Sequence, residues 1–415
     1  MFKLKLHWQV IISMIFGCIL GTIFKVFGTS INIDPLYQFI TLFGTIFVRL
    51  LKMIMIPLIF TSIILGVSSI GSGRKVGRIG IKTLIYYLCT SLLAIITGLL
   101  LSNLMKPGVG ANIIQNVAFD SSKIQTPSST LDILIRMIPT NPFQALANGD
   151  MLGIIFFAIF FGIVINMIDS NKSEALKNII DSIFSVIMKI TQIVISFAPI
   201  GVLGLITKTV YTSGLGIFIN LAKYMMTIIL GLSIHLLITL PIILFVFVKI
   251  NPLLHFKAMA SAMLTAFSTS SSSATLPVTI KCVKENAGVS NEVSSFVLPM
   301  GATVNMDGTA LYECAGVLFI SQVLGVSMGI DQQALIVITA LLASIGAAGI
   351  PSAGLVMIFI VTNAVGLTGP QVGIIVGAML AIDRPLDMLR TMINVTSDSI
   401  GAVIIAKSEG ESLYE

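Results

Sequence analysis

The sequence predicts an all-α polytopic membrane protein with eight transmembrane helices and two re-entrant helical hairpins. Three observations predict it. Of 415 residues, 56% are hydrophobic and only 10% charged, against about 25% charge in a soluble domain, and mean hydropathy is +1.02. Apolar runs long enough to cross a bilayer recur along the chain, separated by short polar stretches. The last third breaks this pattern twice, with small and hydroxyl residues between apolar arms.

The first span covers about residues 8–28, after Lys3 and Lys5. Residues 10–27 have the length of a secretory signal but no small-residue cleavage motif, so they read as a retained span. The second covers about 38–70; it carries Arg49 and Lys52, and Pro57 predicts a kink. Residues 71–78 form a basic loop that, with Lys3 and Lys5, is expected on the cytoplasmic side. The third span covers about 81–105. Residues 106–128, polar and containing Pro107 and Pro127, read as an outer loop. A short apolar stretch at 131–138 stops at Pro139-Thr-Asn-Pro142. The fourth span covers 151–168, and residues 169–174 form a polar cytoplasmic loop. The fifth covers about 175–209, interrupted at Pro199. The sixth covers about 216–249, and Lys249, His255 and Lys257 return the chain to the basic side. Both termini are expected to be cytoplasmic.

Next comes Ser268-Thr-Ser-Ser-Ser-Ser273, then Ala-Thr-Leu-Pro277. Hydroxyl residues in a run compete with the backbone for hydrogen bonds. Inside a bilayer such backbone survives only within protein or beside water. Lys257 before it and Lys281 and Lys284 after it share the cytoplasmic side, so the segment enters and leaves there as a hairpin. The seventh span, about 291–325, contains Asn305-Met-Asp-Gly-Thr309. Gly308 weakens helix by about 1 kcal/mol, and an unwound turn would expose the carbonyl oxygens a small cation needs. Asn305, Thr309 and Glu313 follow an i, i+4, i+8 line, so Glu313 can share one face with that site. Ser344-Ile-Gly-Ala-Ala-Gly-Ile-Pro351-Ser-Ala-Gly354 then repeats the layout of arm, small-residue tip, arm and polar span. Two hairpin-plus-span units entering from opposite sides are inverted repeats whose tips meet at midplane.

The eighth span carries Asp383, Asp387, Arg390, Asn394 and Asp398, spaced 4, 3, 4 and 4 residues apart. At about 100° per residue they form one stripe of a helix, climbing about 22 Å. An ionised residue facing lipid at midplane costs roughly 2.5–3.5 kcal/mol, so the stripe faces protein, water or solute. The plain alternative is a structural ion-pair network between packed helices. Three acids to one arginine, together with the amide, suit cations and a charged solute better.

Other classes fit poorly. The net charge of +6 is dispersed between apolar runs and is no nucleic-acid signature. Cys18, Cys89, Cys282 and Cys314 have no paired spacing and read as small hydrophobes. The three histidines are scattered, which argues against zinc. An intramembrane hydrolase built on the serine run lacks a nearby base, and no catalytic residues are expected.

Four motifs carry a family resemblance over essentially the whole chain. Ser270-Ser-Ser-Ser-Ala-Thr-Leu-Pro277, Asn305-Met-Asp-Gly-Thr-Ala-Leu-Tyr312, Ser344-Ile-Gly-Ala-Ala-Gly-Ile-Pro351 and the stripe from Asp383 to Asp398 resemble the glutamate/aspartate transporters, the dicarboxylate/amino acid:cation symporters. Tyr86-Tyr87-Leu-Cys-Thr90-Ser91 and Pro139-Thr-Asn-Pro142 match as well. The resemblance implies a homotrimer and an elevator mechanism. A static scaffold would comprise residues 1–76 and 129–212. A mobile transport domain would comprise residues 77–128 and 213–415.

The resemblance also implies a substrate, aspartate or glutamate, and sodium as the driving ion. Arg390 would pair with the side-chain carboxylate, and its planar fork suits one. Asp387 would hold the ammonium. Thr309, Thr391 and Asn394 would add side-chain hydrogen bonds. Ser272, Ile350 and Gly354 would add backbone contacts. One sodium would use Asp398 with carbonyls of Gly301, Asn305 and Asn394. A second would use carbonyls near Thr303, Ser344, Ile345 and Ala347. A third would use Tyr87, Thr90, Ser91, Asn305 and Asp307. Oxygen-only ligands suit hard cations. The second hairpin would close over the solute.

Two positions depart from the family pattern. Many members carry an arginine at the first hairpin tip or beside the substrate aspartate; this chain has Ser270 and Met388 there, and Arg384 adjacent to Asp383. Glu313 follows the animal glutamate carriers, which implies potassium or proton countertransport. The nearest rival is a proton-coupled glutamate or C4-dicarboxylate symporter of the same fold. A neutral exchanger would dispense with Arg390, and an anion channel would not show saturating, sodium-dependent uptake.

Overall fold

The computed structural model describes residues 6–27, 34–68, 74–111, 135, 137–346 and 353–414, and within them all regular structure is helical. Three long helices open the chain: α1 (Leu6–Phe27), α2 (Asp34–Ser68) and α3 (Arg74–Met105). Pro57 lies inside α2. The expected basic loop is cut short, because α3 already includes residues 74–78, and Arg and Lys are good helix formers.

The Pro-Thr-Asn-Pro motif starts a helix of about two turns, α4 (Pro142–Asn148). The Asn141 side chain accepts from the Phe143 and Gln144 amides, and proline fills the first position, where no amide hydrogen is needed. α5 (Met151–Ile165) is followed by α6 (Ser170–Ser196) and α7 (Ala198–Ser213). The loop expected at 169–174 is helical from Ser170 onward, supported by an ion pair of Lys172 with Asp169 at 3.3 Å. The break expected at Pro199 falls at Phe197, since proline is tolerated in the first turn of the next helix.

The sixth segment is α8 (Ile217–Ile234) and α9 (Leu240–Val248), joined by a π turn at His235–Thr239. Such a turn inserts one residue into a helix and re-aims the side chains that flank it. It points His235, fully buried, toward the seventh segment.

The serine run breaks the helix over only two residues. α10 (Pro252–Thr269) ends, Ser270 takes a left-handed φ of 51°, and Ser271 caps α11 (Ser272–Ala287) by accepting from the Ala274 amide. The serines that compete with helix are also good helix starters. α10 and α11 pack on each other. The seventh segment divides at Asn305–Met306 into α12 (Asn291–Val304) and α13 (Asp307–Val323), as the glycine-containing motif predicts. α14 (Ile330–Ile345) and α15 (Ala353–Ala364) form a second packed pair. Its tip, with Ala347 and Ile350, lies outside the described residues, as do 112–128 of the expected outer loop. α16 (Pro370–Ser408) is one uninterrupted helix.

Five helices among the described residues are long and apolar enough to cross a membrane: those containing 8–27, 34–68, 78–105, 170–196 and 218–248. The other expected spans differ for physical reasons: α5 is short, the seventh is broken, and α16 carries the charged stripe. α1 packs on α7, and α2 packs on α5, α6 and α7. α16 packs on α10, α12 and α13, while α3 packs on α13.

The C-terminal residues fold back. Ser290 donates to Glu411 from its amide at 2.8 Å and its hydroxyl at 2.6 Å. The Tyr414 amide donates to the Ala287 carbonyl at 3.1 Å, and its hydroxyl meets His255 Nδ1 at 2.5 Å. His255 Nε2 meets the Ser399 hydroxyl at 2.9 Å. The base of the α10–α11 pair is thus tied to α16 and the tail.

Candidate functional site

α16 supplies the centre of the site. Asp383, Asp387, Arg390, Asn394 and Asp398 are all buried, so the stripe faces protein along its whole length. Arg390 Nη2 donates to Asp383 and to Asp387, each at 2.9 Å. Part of the stripe is therefore the ion-pair network that a structural reading expects. It is incomplete as one. Arg390 Nε and Nη1 are buried without a hydrogen-bond partner. Among the described residues no lysine or arginine pairs with Asp307 or Asp398.

The walls around Arg390 come from two neighbouring helices. The Tyr312 ring of α13 lies under the guanidinium, 3.8 Å from its carbon. Gly308 lets α13 approach α16 closely: a Cβ there would stand 2.9 Å from the Arg390 Cα. Gly354 opens α15 in the same way. A Cβ at Gly354 would stand 3.2 Å from Arg390 Nη1 and 3.3 Å from both Thr309 and Tyr312. The free face of the guanidinium thus looks toward Gly354 and Thr309.

Asn394 locks the broken turn. Its side-chain oxygen accepts from the Gly308 amide at 2.8 Å, and its nitrogen meets Met306 Sδ at 3.2 Å and the Thr309 hydroxyl at 3.4 Å. Thr391 donates back to the Asp387 carbonyl at 2.8 Å. Ser272 is buried at the start of α11.

Two oxygen-rich clusters lie further along α16 and α13. Asn305 Nδ2 donates to Asp398 at 2.8 Å, while Asn305 Oδ1 is buried without a partner. Gly301 sits against Asp398 and Tyr87 so closely that any side chain would collide with both. The Tyr87 hydroxyl donates to the Val297 carbonyl at 2.9 Å. In the second cluster Ser91 donates to Asp307 Oδ1 at 2.6 Å, and His235 Nε2 meets Asp307 Oδ2 at 3.1 Å. Thr90 turns its hydroxyl to the Tyr86 and Tyr87 carbonyls, at 3.2 Å each. The Thr303 and Ser344 hydroxyls also bond within their own helices. Among the described residues no three His, Cys, Asp or Glu side chains gather as a metal centre. The donors are carboxylate, amide, hydroxyl and backbone oxygens, the set a hard monovalent or divalent cation takes.

Glu313 is fully buried on α13, and neither carboxylate oxygen has a hydrogen-bond partner. Four contacts went unread in the sequence: Tyr312 under Arg390, His235 on Asp307, Arg384 on Asp387, and Ser62 on the Gly346 carbonyl. For Tyr312 there was a signal, its i+3 spacing from Thr309. The His235 contact spans 72 residues and depends on a π turn, so no local pattern reveals it.

Fold and site together define a multi-pass helical membrane protein with a charged site sealed inside its bundle. The sequence comparisons narrow the class. A profile described as the sodium:dicarboxylate symporter family matches residues 6–408, and the chain belongs to that family. It is 36% identical to excitatory amino acid transporter 3 of Mus musculus, over 99% of this chain and 87% of the relative. It is 33% identical to the proton/sodium-glutamate symport protein of Geobacillus stearothermophilus, over 99% and 96%. It is 31% identical to the proton/glutamate-aspartate symporter of Escherichia coli (strain K12), over 98% and 93%.

Proposed function

We propose that this protein is a secondary active symporter of acidic amino acids, aspartate or glutamate, driven by sodium. One observation carries the reading: a buried guanidinium that keeps two nitrogens, Nε and Nη1, without hydrogen-bond partners beside a glycine. Buried polar groups are nearly always paired, and a planar fork with free donors is complementary to a carboxylate. In this reading Arg390 takes the substrate's side-chain carboxylate and Asp387 its ammonium. Thr309, Thr391, Asn394, Ser272, Ile350 and Gly354 complete the contacts.

The coupling ions are cargo rather than resident cofactors. One would use Asp398, Gly301, Asn305 and Asn394, and another Tyr87, Thr90, Ser91, Asn305 and Asp307. A third would use Thr303, Ser344, Ile345 and Ala347. Each net positive charge carried inward gains about 2.3 kcal/mol per 100 mV. Glu313, neutralised by proton or potassium, would serve the return of the empty carrier. Both termini are cytoplasmic in this reading. Helices α1, α2, α4, α5, α6 and α7 form a scaffold that trimerises, and the remainder moves as an elevator with two re-entrant hairpins. The packing of α2 on α5–α7 and of α16 on α10, α12 and α13 supports this division.

The test is uptake of radiolabelled aspartate into proteoliposomes with sodium, proton and potassium gradients imposed singly. Sodium-driven, saturable uptake is expected, and Arg390→Cys should abolish it. Undiminished aspartate uptake by that variant would remove Arg390 from the role. A second reading, proton coupling, draws on the partnerless Glu313 carboxyl and the proton-coupled relatives. Uptake driven by a proton gradient without sodium selects it.

A further inference from the structure

Helix α2 meets the second helical pair at two levels. Near the tip, the Ser62 hydroxyl holds the Gly346 carbonyl. Ten residues earlier, about 15 Å along the helix, Lys52 Nζ stands 5.1 Å from the centre of the Phe359 ring of α15. The two partners are unequal. Phe359 is 1% exposed, whereas Lys52 lies exposed near the middle of the apolar α2. A lysine at that depth is unfavourable against lipid, and among the described residues no carboxylate pairs with it. The face of an aromatic ring is electron-rich and attracts an ammonium within about 6 Å of its centre. In this arrangement of α2 and α15 the charge therefore has a partner.

We propose that Lys52 and Phe359 form a clasp between the scaffold and the transport domain, closed in this arrangement and open in any other. This rests on the division into scaffold and elevator proposed above and adds a conformational device to it. A slide of α15 along α2 by more than a helical turn, about 5.4 Å, carries the ring out of reach. The ammonium is then left to lipid and to whatever water its stem can reach. The pair therefore stabilises one arrangement over the others, which is what a shift in population requires. It does so without touching Arg390 or the oxygen clusters, so it acts on where the transport domain rests and not on what it binds.

The experiment measures the distance between spin labels at Phe39→Cys of α2 and Ile330→Cys of α14, both exposed positions. The purified protein is in liposomes, with Cys18 and Cys89 first replaced by alanine because neither is buried. The ratio of this arrangement to any other is compared across the wild type, Phe359→Leu, Lys52→Met, Lys52→Arg and the double variant of Phe359→Leu with Lys52→Met. Phe359→Leu keeps an apolar side chain without the ring, and Lys52→Met keeps an unbranched stem without the charge. Each should lower the ratio by roughly two- to fivefold, the range for such a pair at a partly exposed site. The double variant should lower it no further than either single one, and Lys52→Arg should match the wild type. An unchanged ratio in either single variant, losses that add in the double variant, or an equal loss in Lys52→Arg and Lys52→Met would overturn the clasp. A wild-type protein that shows one distance whatever the sodium and aspartate supplied would overturn the elevator reading, and the clasp with it.

Discussion

The Ser62 hydroxyl of α2 donates to the Gly346 carbonyl at 2.7 Å, where α14 ends and the second pair's tip begins. A methyl on Gly346 would press on Ile63 at 2.8 Å, so the two elements meet closely there. This bond ties one side of the tip to a helix outside the pair.

Ser62→Ala removes that tie. A buried neutral hydrogen bond contributes about 1 kcal/mol net, so release of bound aspartate should quicken by roughly fivefold. Dissociation of radiolabelled aspartate under dilution measures it. An unchanged rate would mean that the tip does not control release.

Gly354→Ala places a methyl 3.2 Å from Arg390 Nη1 and 3.3 Å from Thr309 and Tyr312. Crowding of this kind costs typically 1–3 kcal/mol. It falls on the space a carboxylate would use, so aspartate affinity should drop by about tenfold or more while the melting temperature changes little. Calorimetry and a thermal melt separate the two.

Glu313→Gln keeps the shape of a side chain whose oxygens have no partners. It removes the exchangeable proton and the charge. Net uptake should fall on the order of tenfold, a barrier increase of ~1.4 kcal/mol, while exchange of internal for external aspartate persists. Equal loss of both fluxes would count against a role in the return step.

Glu409 receives hydrogen bonds from Lys82 and Arg78 at the C-terminal end of α16, and the Lys82 bond chiefly holds its carboxyl below the ordinary range. A depressed folded value means that the contribution is complete above the unfolded value, about 4.3, and is lost as pH falls through the folded one. Wild-type melting temperature should therefore decline on acidification below that point, and Glu409→Gln should decline less. The effect at neutral pH is small, because the Arg78 side chain is exposed and its charge screened. Parallel acid profiles for the two proteins would contradict this.

Much of the site was legible because it is local. Asp383 to Asp398 lie on one helix, and spacing alone places them on one stripe. Asn305-Met-Asp-Gly announces its own break, since glycine and a polar pair disfavour continuous helix. The serine run was read as a broader interruption than it is, because the same hydroxyls that disrupt a helix also cap one. Likewise, charged residues at 74–78 and 170–174 looked like loop and are first turns, where water still satisfies the backbone ends. What spacing could not give was partnership across the bundle. Ser62 with Gly346, His235 with Asp307 and Arg390 with Tyr312 each depend on packing between segments that the chain separates widely.

The fold-back of Glu411 and Tyr414 over Ala287, Ser290 and His255 bears on biogenesis. Ribosomes deliver α10 and α11 more than a hundred residues before the stitches that hold their base. Until residues 411–414 are made, the α10–α11 pair lacks the contacts that hold its base.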